Sequence, residues 1–220
     1  MANGILNPYF IARSSITSSL KSANVNQLEG KLLDIGCGSK PYRFLFQSVD
    51  TYEGIEIYSP VNNPSLAPDF WYDGNTLPFP DSQYDIVLCT QVLEHCADPV
   101  LFLSEVSRVL KQGGILLLSV PFFWPEHEQP YDFRRFTSFG LLQLLDNSGF
   151  ETQLLHKLNP GILMFLQLAL EFFESFRRRI KSRLLSIIIR YLSFLIYSII
   201  NLSALLYKYL FTNFFSQGHQ

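Results

Sequence analysis

Charge of one dominant sign is missing from this chain. Its 17 Lys/Arg and 19 Asp/Glu leave a net charge of −2 over 220 residues, which argues against a nucleic-acid binder held by bulk positive charge. Cysteine is scarce. Cys37, Cys89 and Cys96 form no C-x-x-C pair and show no histidine spacing suited to zinc, so no metal is expected and the thiols read as reduced, in a cytosolic setting. Residues 1–22 contain Arg13 and Lys21 but no apolar stretch, so no secretory signal is expected. Internal repeats and low-complexity tracts are absent. Charged residues make up only 16% against 48% apolar, too oily for a disordered tail or an ordinary soluble surface.

The length suits one α/β domain with an appendage and is too short for two full domains. The small net charge conceals a split. Residues 1–157 carry 10 Lys/Arg against 17 Asp/Glu, or −7, and residues 158–220 carry 7 against 2, or +5. An acidic body with a basic, oily tail points towards a membrane surface.

Strand and helix signals alternate through the first 157 residues, as in an α/β sheet with parallel strands. Strands are expected at Lys31–Ile35, Thr51–Ile57, Asp69–Asp73, Tyr84–Thr90, Gly114–Val120 and, sixth, Glu151–Leu158. Asp98 and Pro99 open a helix carrying Leu103, Val106, Val109 and Leu110, which Gly113-Gly114 is expected to close. Thr137 or Ser138 caps another, bearing Leu141, Leu142, Leu144 and Leu145 up to Gly149. Ser59–Pro68 and Leu77–Asp81 read as proline-rich loops.

Asp34-Ile35-Gly36-Cys37-Gly38 follows the first strand directly. Glycines there let the backbone turn sharply and approach a ligand, and a following helix is expected to offer its N-terminal amides. A dinucleotide fingerprint needs a third glycine, and Ser39-Lys40-Pro41 stands in its place. Taken alone the glycine pair is equally a tight strand-to-helix turn. Glu56 ends the second strand, where a carboxylate can accept both hydroxyls of a ribose, and Asp73-Gly74 ends the third, where an acid can receive an adenine amino group. Three acids on successive strand ends fit an adenosine without phosphates, with Asp34 near a cationic amino-acid portion.

LLDIGCGSKPY, YEGIE, LPFPDSQYDIVLCTQVLEH and DPVLFLSEVSRVLKQGGILLLSVP resemble the successive motifs of class I S-adenosylmethionine-dependent methyltransferases, in the type 11 small-molecule branch, over about residues 28–158. The resemblance implies a Rossmann-like sheet, mostly parallel with helices on both faces, and S-adenosyl-L-methionine as cofactor. It implies that Asp34, Gly36, Cys37 and Gly38 meet the methionine portion, Glu56 the ribose and Asp73 the adenine. Thr90 and Gln91 match the position lining the transferable methyl. Glu94-His95 also matches the family, as a sheet-to-helix bridge. A seventh, antiparallel strand is implied too, but after Tyr209 only LFTNFFSQGHQ follows. That strand is doubtful, unless Leu210–Phe215 makes a short substitute.

Pro121–Thr137 (PFFWPEHEQPYDFRRFT) leaves the end of the fifth strand and is the natural acceptor wall. His127 is the candidate base, Arg134 and Arg135 candidate anion binders, and Phe122, Phe123, Trp124 and Tyr131 candidate covers against water. The alternative is a loop held by aromatic packing and an Asp132–arginine pair. The expected function is methyl transfer to a small-molecule, glycan or lipid-linked acceptor at the cytoplasmic membrane face. A non-catalytic membrane-bound relative and a nucleotide-dependent oxidoreductase are the competing readings.

Residues 1–158 are therefore expected to form the cofactor-binding domain and 159–215 an apolar helical segment. Two narrow polar stripes run along the tail: Gln167, Glu171, Glu174, Arg178, Lys181, then Ser186, Arg190, Ser193, Tyr197, Asn201, with Lys208 beyond. If these stripes face water, residues 160–211 form an in-plane, monotopic hairpin on the membrane. A single span through Leu184–Leu206 is the runner-up, with the Arg177–Arg183 cluster on the cytoplasmic side.

Overall fold

The computed structural model describes residues 4–58, 66 and 68–215. The chain divides into two compact units, one of Leu20–Leu155 and one of Met1–Ser19 with His156–Gln220.

In the first unit, strands β1 (Gly30–Ile35), β2 (Val49–Ile57), β3 (Phe70–Tyr72), β4 (Tyr84–Thr90) and β5 (Leu110–Ser119) form one sheet in the order β3-β2-β1-β4-β5. Every pairing is parallel, with Asp34 opposite Gly54 on β2 and opposite Leu88 on β4. The order reverses direction between β1 and β4, and ligands of open α/β sheets sit beyond the strand ends at such a point. Leu33, Ile35, Val87 and Cys89 pack with Phe102, Leu103 and Val106 of helix α2 (Pro99–Val109) and with Leu141 and Leu145 of α3 (Ser138–Asn147). Asp98 caps α2 by accepting from the amides of Val100 and Leu101, both at 3.0 Å, and Thr137 caps α3 by accepting from Gly140 at 3.1 Å. Arg108, near the end of α2, donates to the carbonyls of Leu77 and Phe79 and to Asp81, which pins the proline-rich loop.

Four local expectations change. Gly113-Gly114 does not close α2, because β5 already begins at Leu110. Leu110 pairs with Tyr84 and Ile115 with Ile86, so Lys111–Gly114 bulge out across Asp85, and Lys111 bonds its carboxylate at 2.8 Å. No α-helix follows Gly38: Lys40 takes a positive φ of 53° and only a single 3₁₀ turn, Arg43–Leu45, precedes β2. Glu151–Leu158 is not a strand. Alternation there offers Leu154 and Leu158 to one face and only Leu155 to the other, too little apolar surface to hold a sheet edge. Leu210–Phe215 is helix, not a substitute strand, so among the described residues β5 is the sheet's outer edge.

The second unit contains most of helix α1 (Phe10–Ser22), then α4 (Ile162–Arg178) and α5 (Arg183–Phe215). Gln167, Glu171 and Glu174 of the first polar stripe and Ser193, Tyr197 and Asn201 of the second point inward, while Arg178, Lys181 and Arg190 are exposed. The Tyr197 hydroxyl donates to Glu174 at 2.6 Å, Gln167 donates to the Pro8 carbonyl at 2.8 Å, and fully buried Asn201 donates to the carbonyls of Ile5 and Asn7. Around them pack Ile11, Leu163, Leu170 and Ala204. The opposite faces are oily and exposed: Phe165, Phe172 and Phe176 on α4, and Tyr191, Leu195, Ile199, Leu202 and Leu206 on α5. Most of the wet face expected of an in-plane helix is thus used up between the helices, because buried polar groups find one another and the N-terminal backbone.

Candidate functional site

The C-terminal ends of strands β1 to β4 bring the expected cofactor residues to one end of the sheet. Gly36 and Gly38 hold positive φ, 66° and 51°. A Cβ on Gly36 would lie 2.3 Å from a Val92 methyl, whereas a Cβ on Gly38 would meet nothing within 4 Å. Gly36 is therefore required by the turn and Gly38 faces open space, a cradle that a side chain would fill. The Gly38 amide donates to Glu56 at 3.0 Å, so the glycine loop and the second-strand acid are joined directly. Cys37 turns its thiol inward and is 2% exposed, which leaves only its backbone for a ligand. Burial, with Asp34 and Glu56 nearby, pushes that thiol's pKa up to about 12, so it is no nucleophile at neutral pH.

Asp34 is buried and accepts from the Tyr52 hydroxyl at 2.6 Å. Burial raises its pKa to about 7 against the lowering effect of that bond, with Glu56 adding to the rise and Lys40 opposing it. Asp73 lies just past β3, exposed, and accepts from the amides of Asn75 and Thr76, which hold its carboxylate pKa below the usual range. A Cβ on Gly74 would strike Ile57 at 2.6 Å. Thr90 ends β4, and Gln91 follows with φ 58°, its amide on the Ser119 carbonyl and its side chain on the Ser119 hydroxyl. These two residues stand on the far side of the β1–β4 reversal from the glycine loop.

The connection from β5 to α3 has its own internal order. Asp132, with its side chain only 2% exposed, accepts from Arg135 at 2.6 and 2.7 Å and from the His127 amide at 2.9 Å, and lies 3.0 Å from His127 Nδ1. Arg135 also donates to the Trp124 carbonyl, and Arg134 to the carbonyls of Cys96 and Ala97. Both guanidiniums are thereby committed to the chain itself; an anionic acceptor would have to displace these bonds. Tyr131 is exposed, and Trp124 half-buried. Glu94, completely buried, follows β4 in the Leu93–His95 turn, and burial raises its carboxyl pKa to about 7. An open depression lined by Arg43, Phe46, Asp50 and Glu53 lies towards the start of β2, away from the Glu56 end.

Sequence reasoning missed Tyr52 and Gly54. A Cβ on Gly54 would lie 2.7 Å from the Cys37 sulfur, so this glycine lets the loop close over β2. The signal was present: in a strand, Tyr52, Gly54 and Glu56 share one face.

A family profile described as "Methyltransferase domain" (Methyltransf_11) matches residues 33–118. Among similar proteins is "Probable S-adenosylmethionine-dependent methyltransferase" of Mycolicibacterium smegmatis, 39% identical over 83 residues, 35% of this chain and 32% of that protein. The "Uncharacterized methyltransferase YcgJ" of Bacillus subtilis is 35% identical over 109 residues, 44% of this chain and 43% of that one. Rat "Thiol S-methyltransferase TMT1B" is 31% identical over 130 residues, 54% and 51% respectively. The chain thus spans a third to a half of the length of these relatives. The solved S-adenosylmethionine dependent methyltransferase of Mesorhizobium loti superposes with a TM-score of 0.51 at 16% identity, over 74% of this chain and 90% of its own, a likeness of fold alone.

Proposed function

We propose, from the match of residues 33–118 to the Methyltransf_11 family, that this chain is a class I S-adenosylmethionine-dependent methyltransferase that methylates a small-molecule acceptor carried in or on a membrane. One observation carries the cofactor half of the reading. The Gly38 amide is bonded to the Glu56 carboxylate beside open space, in line with two further strand-end acids. Those residues fit S-adenosylmethionine, whose ribose hydroxyls, adenine amino group and ammonium all seek acceptors and which carries no phosphate.

When bound, S-adenosylmethionine supplies a methyl group already activated by its sulfonium, so the protein's task is alignment more than covalent chemistry. Asp34 and the backbone of residues 36–38 hold the methionine end, Glu56 the ribose and Asp73 the adenine. Thr90 and Gln91 line the methyl's side. On the acceptor side His127 is oriented by Asp132, while Trp124 and Tyr131 exclude water. Arg134 and Arg135 keep that wall folded.

The membrane half rests on the inside-out hairpin. Ile187–Leu210 is 24 residues of helix, apolar enough to cross a bilayer, and little of it is buried within the protein: Ser193, Tyr197, Asn201 and Ala204. At 1.5 Å per residue it exceeds the ~30 Å hydrocarbon core. An anchor of this kind favours a lipid-linked acceptor, glycolipids included, over a freely soluble one.

The test has two parts. Titration calorimetry is expected to show one S-adenosylmethionine per chain; no binding overturns the cofactor reading. Radiolabelled methyl from the bound cofactor is then expected in an organic extract of membranes, and label confined to water-soluble products would overturn the lipid-linked acceptor.

A further inference from the structure

Glu94 poses a problem that the cofactor site does not solve. Its side chain is completely buried, and neither carboxylate oxygen has a hydrogen-bond partner. Burying a carboxylate in this way is costly unless something compensates its charge. The nearest candidate, His95 Nε2, stands 3.9 Å from Oε1, too far for a hydrogen bond.

Two imidazoles converge on this carboxylate. His95 Nδ1 lies 2.9 Å from the Tyr131 carbonyl, and a carbonyl only accepts, so Nδ1 carries the proton. The neutral ring then holds its lone pair on Nε2. His127 Nδ1 lies 3.0 Å from the Asp132 carboxylate and 3.3 Å from the Pro125 carbonyl, with the same consequence for its own Nε2. The two rings meet edge-on with centroids 4.8 Å apart. Metal-ligating histidines characteristically give their second nitrogen to a carboxylate or a backbone carbonyl, which fixes both tautomer and ring orientation. Both histidines have that arrangement here.

We propose that Glu94, His95 and His127 form a binding site for a divalent transition-metal cation. One ligand atom from each lies within 4.8 Å of the others. Ligands bound at about 2.0–2.2 Å sit roughly 3–4 Å apart, so the widest gap closes through a modest side-chain rotation. Two imidazoles and one carboxylate suit zinc, iron(II), cobalt(II) or manganese(II) and not the all-oxygen preference of calcium or magnesium. The carboxylate's charge would be matched by the ion, and the three-ligand set leaves positions open for water or for an oxygen or sulfur of the acceptor. That last role rests on the methyltransferase reading; the site itself does not. The lone pair of His127 Nε2 then goes to the cation, not to an acceptor proton.

Cobalt(II) added to the metal-free, full-length protein is the probe, since its visible absorption reports imidazole and carboxylate ligation without any turnover. One equivalent is expected to bind, with affinity lowered at least tenfold in His127→Ala and in His95→Ala and unchanged in His156→Ala, a histidine outside the cluster. His127 is only partly buried, so its variant tests the site even if Glu94→Gln fails to fold. Absence of cobalt bands together with an unchanged unfolding temperature on adding cobalt or zinc would overturn the site, as would equal loss in His156→Ala. S-adenosylmethionine binding, measured on the same metal-free protein, reports separately on the methyltransferase reading.

Discussion

Glu56 already accepts the Gly38 amide, so a ribose bound there would share a carboxylate whose position is fixed before the ligand arrives. Charge-assisted hydrogen bonds contribute about 1.5–3 kcal/mol each. Glu56→Ala is therefore expected to weaken S-adenosylmethionine binding by at least about tenfold, at about 1.4 kcal/mol per decade; unchanged calorimetric affinity would remove Glu56 from the site. Asp34 brings a pH dependence. Its folded pKa, about 7, stands above the ordinary carboxylate value of 3.8, so it is protonated in the folded protein below that pH. Its contribution to stability is full below the ordinary value and is lost as pH rises through about 7. Under the proposed assignment, attraction of Asp34 for the cofactor's ammonium would run the other way, appearing only once the carboxyl ionises. Affinity is thus expected to climb as pH passes about 7, with Tyr52 and Lys40 favouring the ionised form and Glu56 opposing it. Asp34→Asn should flatten the profile, and Tyr52→Phe should move the rise to higher pH; parallel wild-type and Asp34→Asn profiles would refute the assignment. The three acids are legible in the sequence because each follows an apolar run and so marks a strand end. Tyr52 is not, because its partner Asp34 lies on a neighbouring strand and only the register pairs them.

At the scale of elements, helix starts are easier to read than helix ends. Asp98-Pro99 combines an acceptor for two free amides with a fixed φ, and the structure uses both. Asp98→Ala is expected to cost about 0.5–2 kcal/mol, lowering the melting temperature of the sheet unit by a few degrees. Asp98→Asn, which keeps an acceptor, should restore most of it, and equal losses in the two variants would show that the cap contributes little. Gly113-Gly114 misleads for a physical reason. A glycine pair serves a helix stop and a strand bulge equally well, and β5 begins immediately after α2, leaving the pair to absorb the extra residues opposite Asp85. Likewise the turn after Gly38 contains Lys40 at positive φ followed by Pro41, which does not propagate an α-helix.

Across the whole molecule, the least legible feature is the direction of the tail's polar stripes. Spacing shows that Gln167, Glu174, Tyr197 and Asn201 share faces, but a stripe read from one helix does not say whether water or another helix meets it. Here the stripes meet each other and the first residues of the chain, distant in sequence by 159 positions for Gln167 and Pro8. The outward faces are then apolar on both helices, an arrangement that water disfavours at about 25 cal/mol for each Å² left exposed. Hydrocarbon reverses that balance, because most polar groups inside the hairpin have partners, Glu171 Oε2 and Asn201 Oδ1 excepted, and the oily surface needs none. Arg190 lies near the start of the 24-residue stretch and can snorkel, next to the basic residues 177–183. We therefore expect the protein to remain in membranes through an alkaline carbonate wash. Ile199 faces outward near the middle of that stretch. An acid at the centre of a span costs about 2.5–3.5 kcal/mol, so Ile199→Asp is expected to shift protein into the wash. Complete release of the wild-type chain would return the hairpin to a peripheral position. Equal retention of wild type and Ile199→Asp would show that this face does not lie in hydrocarbon.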